Sequence, residues 1–342
     1  MKLNYKRTVF IGLAFLSISS FWQLYDNIIP LILKNTFGIG ETLTGAIMAI
    51  DNVLALVMLP FFGALSDKVD TRLGKRTPFI ISGTFMAVIS MAFLPLADSL
   101  KSLPMFFIAL GIVLMAMSTY RSPAVALMPD LTPKPLRSKA NAVINLMGAL
   151  GGLFALIAIR FLTVEIGLDK NYTWVFMSVA LLMVVTVAIL VKTINEKKLS
   201  RDLADELAED EEGLPAATAD IKTKDGQTAS KKKRKLPKDV FKSLSFLLAS
   251  VFLWFAAYNA ITTAFSRYAQ EVWDLGTGFT SPLMVAIIAA TLSFIPIGLI
   301  SSKIGRKRTI IAGICLMTFS YFIGIWFINY SSWLNVVFIL IG

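Results

Sequence analysis

The sequence contains no histidine and only one cysteine, Cys315. A single cysteine excludes an intrachain disulfide. Without histidine, the side chain that most readily exchanges protons near neutral pH is missing, so any proton relay has to use carboxylates. Charge is scarce: 16% of the 342 residues are charged, whereas a soluble domain is about a quarter charged. There is no metal-ligand cluster, nucleophile–base set or phosphate loop, so the chain is not read as an enzyme and neither a metal nor a cofactor is expected. The alternating segments of about ten residues that mark a transmembrane β-barrel are also missing.

What the chain does have is hydrocarbon. It is 56% hydrophobic, with a mean hydropathy of +0.70. Apolar runs recur that are longer than the ~18 residues needed to cross roughly 30 Å of bilayer. The expectation is an all-α polytopic membrane protein embedded in a lipid bilayer. Spans are expected at 9–33, 42–65, 79–97, 105–129, 140–162, 173–191, 244–268, 282–301 and 309–328, with a tenth starting near Trp333. The first is too long for a signal-peptide core and lacks a clear cleavage site, so it reads as a retained span.

The net charge of +11 would suggest nucleic acid in a soluble protein. Here its placement points to topology instead, and no nucleic-acid partner is expected. Lys and Arg concentrate in alternate loops: Lys2, Lys6 and Arg7; Lys68, Arg72, Lys75 and Arg76; Lys134, Arg137 and Lys139; segment 192–242; and Lys303, Arg306, Lys307 and Arg308. The loops between them hold only Lys34, Lys101, Lys170 and Arg267. The positive-inside rule therefore puts the N-terminus in the cytoplasm of a multi-pass protein of the cell (plasma) membrane.

Segment 192–242 carries an acidic block from Asp202 to Glu212 and a basic run, Lys231 to Lys235. With almost no aromatic residues before Phe241, it reads as a cytoplasmic, largely disordered linker. It separates a six-helix bundle, 1–191, from a partial bundle, 243–342, holding spans 7–9 and the start of span 10. A weak repeat crosses the linker: Trp22 and Asn27 recur as Trp254 and Asn259 at an offset of 232. The loop Gly63…Ser66-Asp67-Lys68…Gly74-Lys75-Arg76 recurs, shorter and without its Asp, as Gly298…Ser301-Ser302-Lys303…Arg308. Two related bundles joined by a linker form the architecture of a secondary transporter.

Three ionisable groups lie well inside the spans, where they are costly and are candidates for function. Asp26 shares a helical stripe with Ser19, Gln23, Asn27 and Pro30. Asp51 lies near mid-depth in span 2, and Arg121 just inside mid-depth in span 4. At about 1.5 Å per residue, Asp51 and Arg121 differ in depth by roughly 10 Å, within reach of a long Arg side chain. One carboxylate can pair with Arg121; the other, left over in a desolvated site, can carry a proton. The expectation is that Asp26 carries the proton and that Asp51–Arg121 is a structural or gating pair. A single static network of all three is the competing reading. Arg160 reads as snorkelling to the interface, and Gly148–Gly152 as close helix packing.

The stretch Pro60-Phe-Phe-Gly63-Ala-Leu-Ser66-Asp67-Lys68…Gly74-Lys75-Arg76-Thr-Pro78-Phe79 resembles the signature loop of the major facilitator superfamily. More narrowly, it is similar to the loop of sucrose/proton symporters and their bacterial relatives, and it lies near that of the glycoside–pentoside–hexuronide cation symporters. Ala126-Leu127-Met128-Pro129-Asp130-Leu131 followed by Ala140-Asn141-Ala142 also resembles the sucrose group. Val125 stands where that group has its span 4 arginine, and Arg121 lies one turn earlier. Ala55 and Leu59 stand where the glycoside group has cation-site carboxylates.

The resemblance implies a major facilitator fold of twelve spans, of which this chain holds nine and the start of a tenth. It also implies a cytoplasmic gate of Gly63, Asp67, Arg72, Gly74 and Arg76 that closes against a span 11 lying beyond residue 342. The implied activity is proton-coupled symport of a sugar or glycoside by a monomer working through alternating access. Alternatives are a sodium-coupled glycoside/hexuronide symporter, an efflux antiporter, or a non-transporting receptor or scaffold. Sugar sites combine aromatic faces with amides and charges. Candidate substrate contacts are therefore Trp22, Gln23, Tyr25 and Asn27 in span 1, Tyr120 in span 4, Asn145 in span 5, and Trp254, Tyr258 and Asn259 in span 7.

Overall fold

The computed structural model describes residues 3–166, 169–212, 238–326, 331 and 333–342. The helices are α1 Tyr5–Asn35, α2 Glu41–Lys68, α3 Thr77–Ser99, α4 Leu103–Asp130, α5 Arg137–Leu162, α6 Thr173–Thr193, α7 Glu196–Glu212, α8 Lys238–Glu271, α9 Thr280–Ile304, α10 Arg306–Ile325 and α11 Leu334–Ile341. The expected spans fall on these helices, except that the last residues of 309–328 pass the end of α10 and 327–328 lie outside the described residues. Seven helices among the described residues are long and apolar enough to cross a membrane.

Local chemistry sets several boundaries. The Oδ1 of Asn4 accepts the Arg7 N–H at 3.0 Å and caps α1. Gly38, at φ 65°, takes the left-handed conformation that lets the chain turn into α2. Pro78 and Pro104 occupy the first turns of α3 and α4, where no intrahelical N–H bond is lost. Prolines inside helices, such as Pro30, Pro60 and Pro123, are tolerated where neighbouring helices satisfy the freed carbonyl groups. Beside Pro60, the Ser122 hydroxyl donates to the Leu59 carbonyl at 2.8 Å and ties α4 to α2.

α1 is the central helix. It packs most extensively on α5 and touches α2, α4, α6 and α8, while α3 and α4 form a second close pair. The α1–α5 contact depends on glycine. A β-carbon on Gly151 would collide with the Leu16 carbonyl, and one on Gly148 would come within 3.0 Å of the Ser19 hydroxyl. The Ser20 hydroxyl donates to the Gly151 carbonyl at 2.7 Å. Gly148–Gly152 is a packing seam of the kind that brings membrane helices together.

The apolar surface not used in packing faces outward. α2 buries only Thr44, Ile47, Met48 and Ser66, while Val53, Leu56, Val57 and Phe61 are exposed. This is the arrangement expected of a helix bathed in lipid, where apolar exposure carries no penalty.

One expectation needs correction. Segment 192–242 is not unstructured from its start: α7 follows α6 after a two-residue gap, with Ile194 and Glu196 buried. The acidic block falls entirely within α7, while 213–237, including the basic run Lys231–Lys235, lies outside the described residues. One connection holds a short hairpin within this all-α fold. Val164–Ile166 and Asp169–Asn171 form an antiparallel hairpin between α5 and α6, too short to leave a periodic signal.

Candidate functional site

The intramembrane charges gather around α1. Trp22, Asp51 and Arg121 line one small cavity with Ala55, Leu59, Leu114 and Ser118. The Arg121 guanidinium lies over the Trp22 ring, 5.4 Å from its centroid, a cation–π contact strengthened by desolvation. Asp51 does not form the expected ion pair with Arg121 among the described residues. Its Oδ1 instead accepts the backbone and side-chain N–H groups of Asn52, at 2.6 and 2.8 Å. Asp26, half-buried one turn beyond Trp22, lies within electrostatic reach of both Asp51 and Arg121. The three charges therefore share one site, with Arg121 held by an aromatic face and not locked to either carboxylate.

Around this triad lies a set of aromatic and polar groups. Trp22 packs edge-on against Tyr25, with centroids 5.4 Å apart. Trp22 Nε1, Tyr25 Oη and Asn27 Oδ1 are buried and have no hydrogen-bond partner among the described residues. Asn27 spends its amide N–H on the Gln23 carbonyl at 2.8 Å, which leaves its oxygen free to accept. Buried polar atoms are almost always paired. Trp22 and Tyr25 lie one turn apart, so their orphaned groups describe a site that a polar molecule or water would complete, while Asn27, two residues beyond Tyr25, leaves its orphan on another side of α1.

On α8, Trp254 and Tyr258 stack at 5.6 Å and 14°, and Tyr258 lies within electrostatic reach of Asp26. Asn259 is half-buried, its carbonyl taken by Thr263 at 2.7 Å. Gln23 faces Gly152 of α5, where Ile287 of α9 also approaches.

Two expected contacts fall elsewhere. Tyr120 is fully buried. Its hydroxyl donates to the Ala14 carbonyl at 3.0 Å and accepts from Ser17 at 2.6 Å. It seals α4 against α1, and its β-carbon side closes on Gly83 of α3. Asn145 is exposed on α5. Nothing in the helical stripe pattern distinguished these positions from Trp22 or Tyr25, since each is a polar or aromatic residue inside a span.

A second cluster occupies the α2–α3 loop. Arg76 is 6% exposed, and its guanidinium is used on every side. Nε donates to Asp130 at 2.9 Å, Nη2 to Asp67 at 2.5 Å, and Nη1 to the Ser66 hydroxyl at 2.5 Å and the Gly63 carbonyl at 3.2 Å. Such a planar, multiply bonded arrangement suits Arg and not Lys. Gly63 also lets α4 approach α2 closely, since a β-carbon there would meet the Ser122 hydroxyl at 3.0 Å. Arg72 is exposed and lies outside this network.

The sequence reading missed two residues of the cluster. Asp130, quoted above only as part of a motif, is the second carboxylate on Arg76. Glu196, at the start of α7, is 4% exposed and caps α3 from a distance. Its carboxylate accepts the backbone N–H groups of Lys75 (2.8 Å), Arg76 (2.9 Å) and Thr77 (2.9 Å) and the Thr77 hydroxyl (2.8 Å). The first N–H groups of a helix have no intrahelical partner, and a carboxylate there is favoured by the helix dipole. Gly74 makes the seat possible: its φ is 114°, and a β-carbon would collide with the Glu196 side chain. Lys197 adds an exposed pair to Asp70 at 3.1 Å. Glu196 carried no periodic or motif signal, because its partners are backbone amides more than a hundred residues away.

A bundle of long apolar helices around buried charges, with an Arg-centred loop between the second and third, defines a multi-pass membrane transporter. The family model of the Major Facilitator Superfamily matches residues 11–342, and the chain belongs to that superfamily, one of transporters and not of enzymes. It is 32% identical over 142 residues to the sucrose transport protein SUC3 of Arabidopsis thaliana, covering 36% of this chain and 24% of the relative. Sucrose transport protein SUT3 of Oryza sativa subsp. indica is 29% identical over 137 residues, 34% of this chain and 27% of the relative. The match therefore spans about a quarter of the length of these relatives.

Among solved structures, the xylose transporter XylE from E. coli in a partially occluded inward-open conformation superposes with a TM-score of 0.66 at 14% identity, covering 99% of this chain and 83% of that one. A POT family transporter in complex with a thioalcohol-conjugated peptide gives 0.65 at 12% identity, covering 98% and 80%. At these identities the likeness is one of fold.

Proposed function

We propose that the protein is a secondary active transporter that couples entry of a sugar or glycoside to a proton by alternating access. The observation that carries this reading is the sharing of one site by Asp26, Asp51 and Arg121 around Trp22. A net negative triad inside a membrane bundle has one carboxylate more than its cation can neutralise. The surplus is relieved when a proton binds, and the absence of histidine leaves only carboxylates for the task. Asp26 is the proton carrier in this scheme, with Asp51 and Arg121 tuning it.

The substrate lies against Trp22 and Tyr25, whose ring faces suit the C–H surface of a sugar. Gln23 and the orphaned Asn27 oxygen serve its hydroxyl groups, and Trp254, Tyr258 and Asn259 approach from the other bundle. Partial likeness to sucrose transport proteins supports a sugar as cargo. The Gly63–Arg76 loop acts as a latch on the cytoplasmic side of the plasma membrane, with Asp67, Asp130 and Glu196 holding Arg76 and the start of α3.

The test is substrate-induced proton uptake by the whole protein in liposomes across a panel of sugars, with Asp26→Asn as control. Uptake driven by one sugar class and lost in Asp26→Asn supports the reading. Proton movement that survives Asp26→Asn removes the carrier assignment. Dependence on sodium in place of a pH gradient moves the protein to a different coupling class.

A further inference from the structure

One hydrogen bond crosses between α2 and α4 partway along both helices. The Ser122 hydroxyl of α4 donates to the Leu59 carbonyl of α2 at 2.8 Å, and among the described residues no other side-chain hydrogen bond runs directly between the two. α2 packs mainly on α4. It buries Thr44, Ile47 and Met48 near its start and Ser66 near its end, so its middle turns hold no buried side chain. The bond falls in that stretch.

Both ends of the bond lie beside a proline. Pro60 follows Leu59 inside α2, and Pro123 follows Ser122 inside α4. A proline gives no N–H to the carbonyl four residues back, here those of Leu56 and Thr119, and the helix bends most easily at that point. The Ser122–Leu59 bond therefore joins the weak point of one helix to the weak point of the other.

The two helices also run from the charged site to the α2–α3 loop. At one end Asp51, Ala55 and Leu59 of α2 share a cavity with Ser118 and Arg121 of α4. At the other end Arg76 holds both helices. Its Nη1 reaches the Gly63 carbonyl at 3.2 Å, one turn beyond Leu59, and its Nε reaches Asp130 at 2.9 Å, about two turns beyond Ser122. Ser122 stands between these ends. It is the next residue after Arg121, and its hydroxyl lies 3.0 Å from the β-position of Gly63.

We propose that Ser122 pins two proline hinges together, so that α2 and α4 bend as a unit and a change at the charged site reaches the Arg76 cluster. The inference rests on the alternating-access reading and adds a positioning residue to it, one that acts through Leu59 and Gly63. In a regular helix the Leu59 carbonyl accepts the Gly63 N–H. Ser122 shares that carbonyl, so α2 keeps its own ladder while it is held. Without the hydroxyl each helix bends at its own proline, and a displacement beside Arg121 is no longer followed by Gly63.

Hydrogen exchange tests the hinge without measuring transport. The Arg76 and Thr77 amides are held by Glu196, and their exchange reports the state of the loop. Arg121→Gln removes the cation of the site and is expected to change this exchange by roughly fivefold or more, the lower end of coupling between separate sites. Asp51→Asn takes its place if Arg121→Gln fails to fold. In a Ser122→Ala background the response falls below about twofold, the scale of independent sites. Ser122→Thr keeps the hydroxyl and restores the response. Ser122→Cys, close in volume but a weak donor, replaces Ser122→Ala if that variant fails to fold. No response in the folded parent, or an equal response with and without the hydroxyl, overturns the hinge. The readout needs neither sugar nor a proton gradient. A protein that moves no sugar can therefore still show the coupling, and a working symporter can still lack it.

Discussion

The carboxylate of Glu196 sits where a β-carbon on Gly74 would have to be. That one relationship joins a left-handed glycine in the α2–α3 loop to a buried acid at the start of α7. It makes the loop a receptor for the chain that leaves α6.

Gly74→Ala is expected to break the seat twice. The left-handed backbone costs an alanine about 1–2 kcal/mol, and the methyl group displaces Glu196. A thermal unfolding scan in detergent should show a lower apparent Tm for Gly74→Ala. Combining it with Glu196→Ala should add little, since both remove the same contact. Full additivity of the two losses would separate the residues.

Glu196→Ala leaves the N–H groups of Lys75, Arg76 and Thr77 without an acceptor. Each buried orphan costs about 1–3 kcal/mol, so the first turn of α3 should fray. Hydrogen exchange at these three amides is expected to accelerate, while exchange deep in α3, near Ala87, stays slow.

At Arg76 the guanidinium geometry matters more than the charge. Arg76→Lys keeps the cation but cannot reach Asp67, Asp130, Ser66 and the Gly63 carbonyl together. It should lower both thermal stability and transport. Asp67 has a side chain 62% exposed, and an exposed pair is worth about 1 kcal/mol or less. Asp67→Asn should therefore leave the Tm nearly unchanged while it shifts the inward–outward balance and cuts uptake.

Tyr120→Phe removes a hydroxyl bonded to Ser17 and to the Ala14 carbonyl. The expected loss is about 1 kcal/mol of stability, with the sugar preference unchanged. Trp22→Ala should behave in the opposite way, weakening sugar binding and freeing Arg121. Equilibrium binding of a labelled sugar distinguishes the two. A changed sugar preference in Tyr120→Phe would return that residue to the substrate site.

Two glycines provide a matched comparison. Gly151→Ala forces a methyl group into the Leu16 carbonyl, whereas Gly111 has nothing within 4 Å of its β-position. Gly151→Ala should disrupt the α1–α5 seam and lower the yield of monodisperse protein. Gly111→Ala should be neutral or slightly stabilising, as alanine favours helix over glycine by about 1 kcal/mol.

The helices were legible because each had to cover a bilayer with its own apolar residues, a demand visible in any single stretch of sequence. The charges of the site were legible for the converse reason: Asp26, Asp51 and Arg121 stand out against hydrocarbon. Their pairing was not, because the choice between Asp51 and the Trp22 ring for Arg121 is made by side-chain packing across three helices. Glu196 and Asp130 were hidden by distance along the chain. Tyr120 shows the limit from the other side. An aromatic residue with a polar tip reads alike whether it faces a cavity or a neighbouring backbone, and only the positions of Ser17 and Ala14 decide.

The seat of Glu196 also bears on how the first bundle is made. The amides that begin α3 emerge from the ribosome about 120 residues before the carboxylate that satisfies them. Until α6 has been threaded into the membrane and the chain has returned to the same side, that turn has no acid to hold it. The six helices can be inserted one after another, but the bundle is fastened only at the end, by the first residue of α7. A ribosome that pauses before that point holds a bundle that is inserted but not yet fastened.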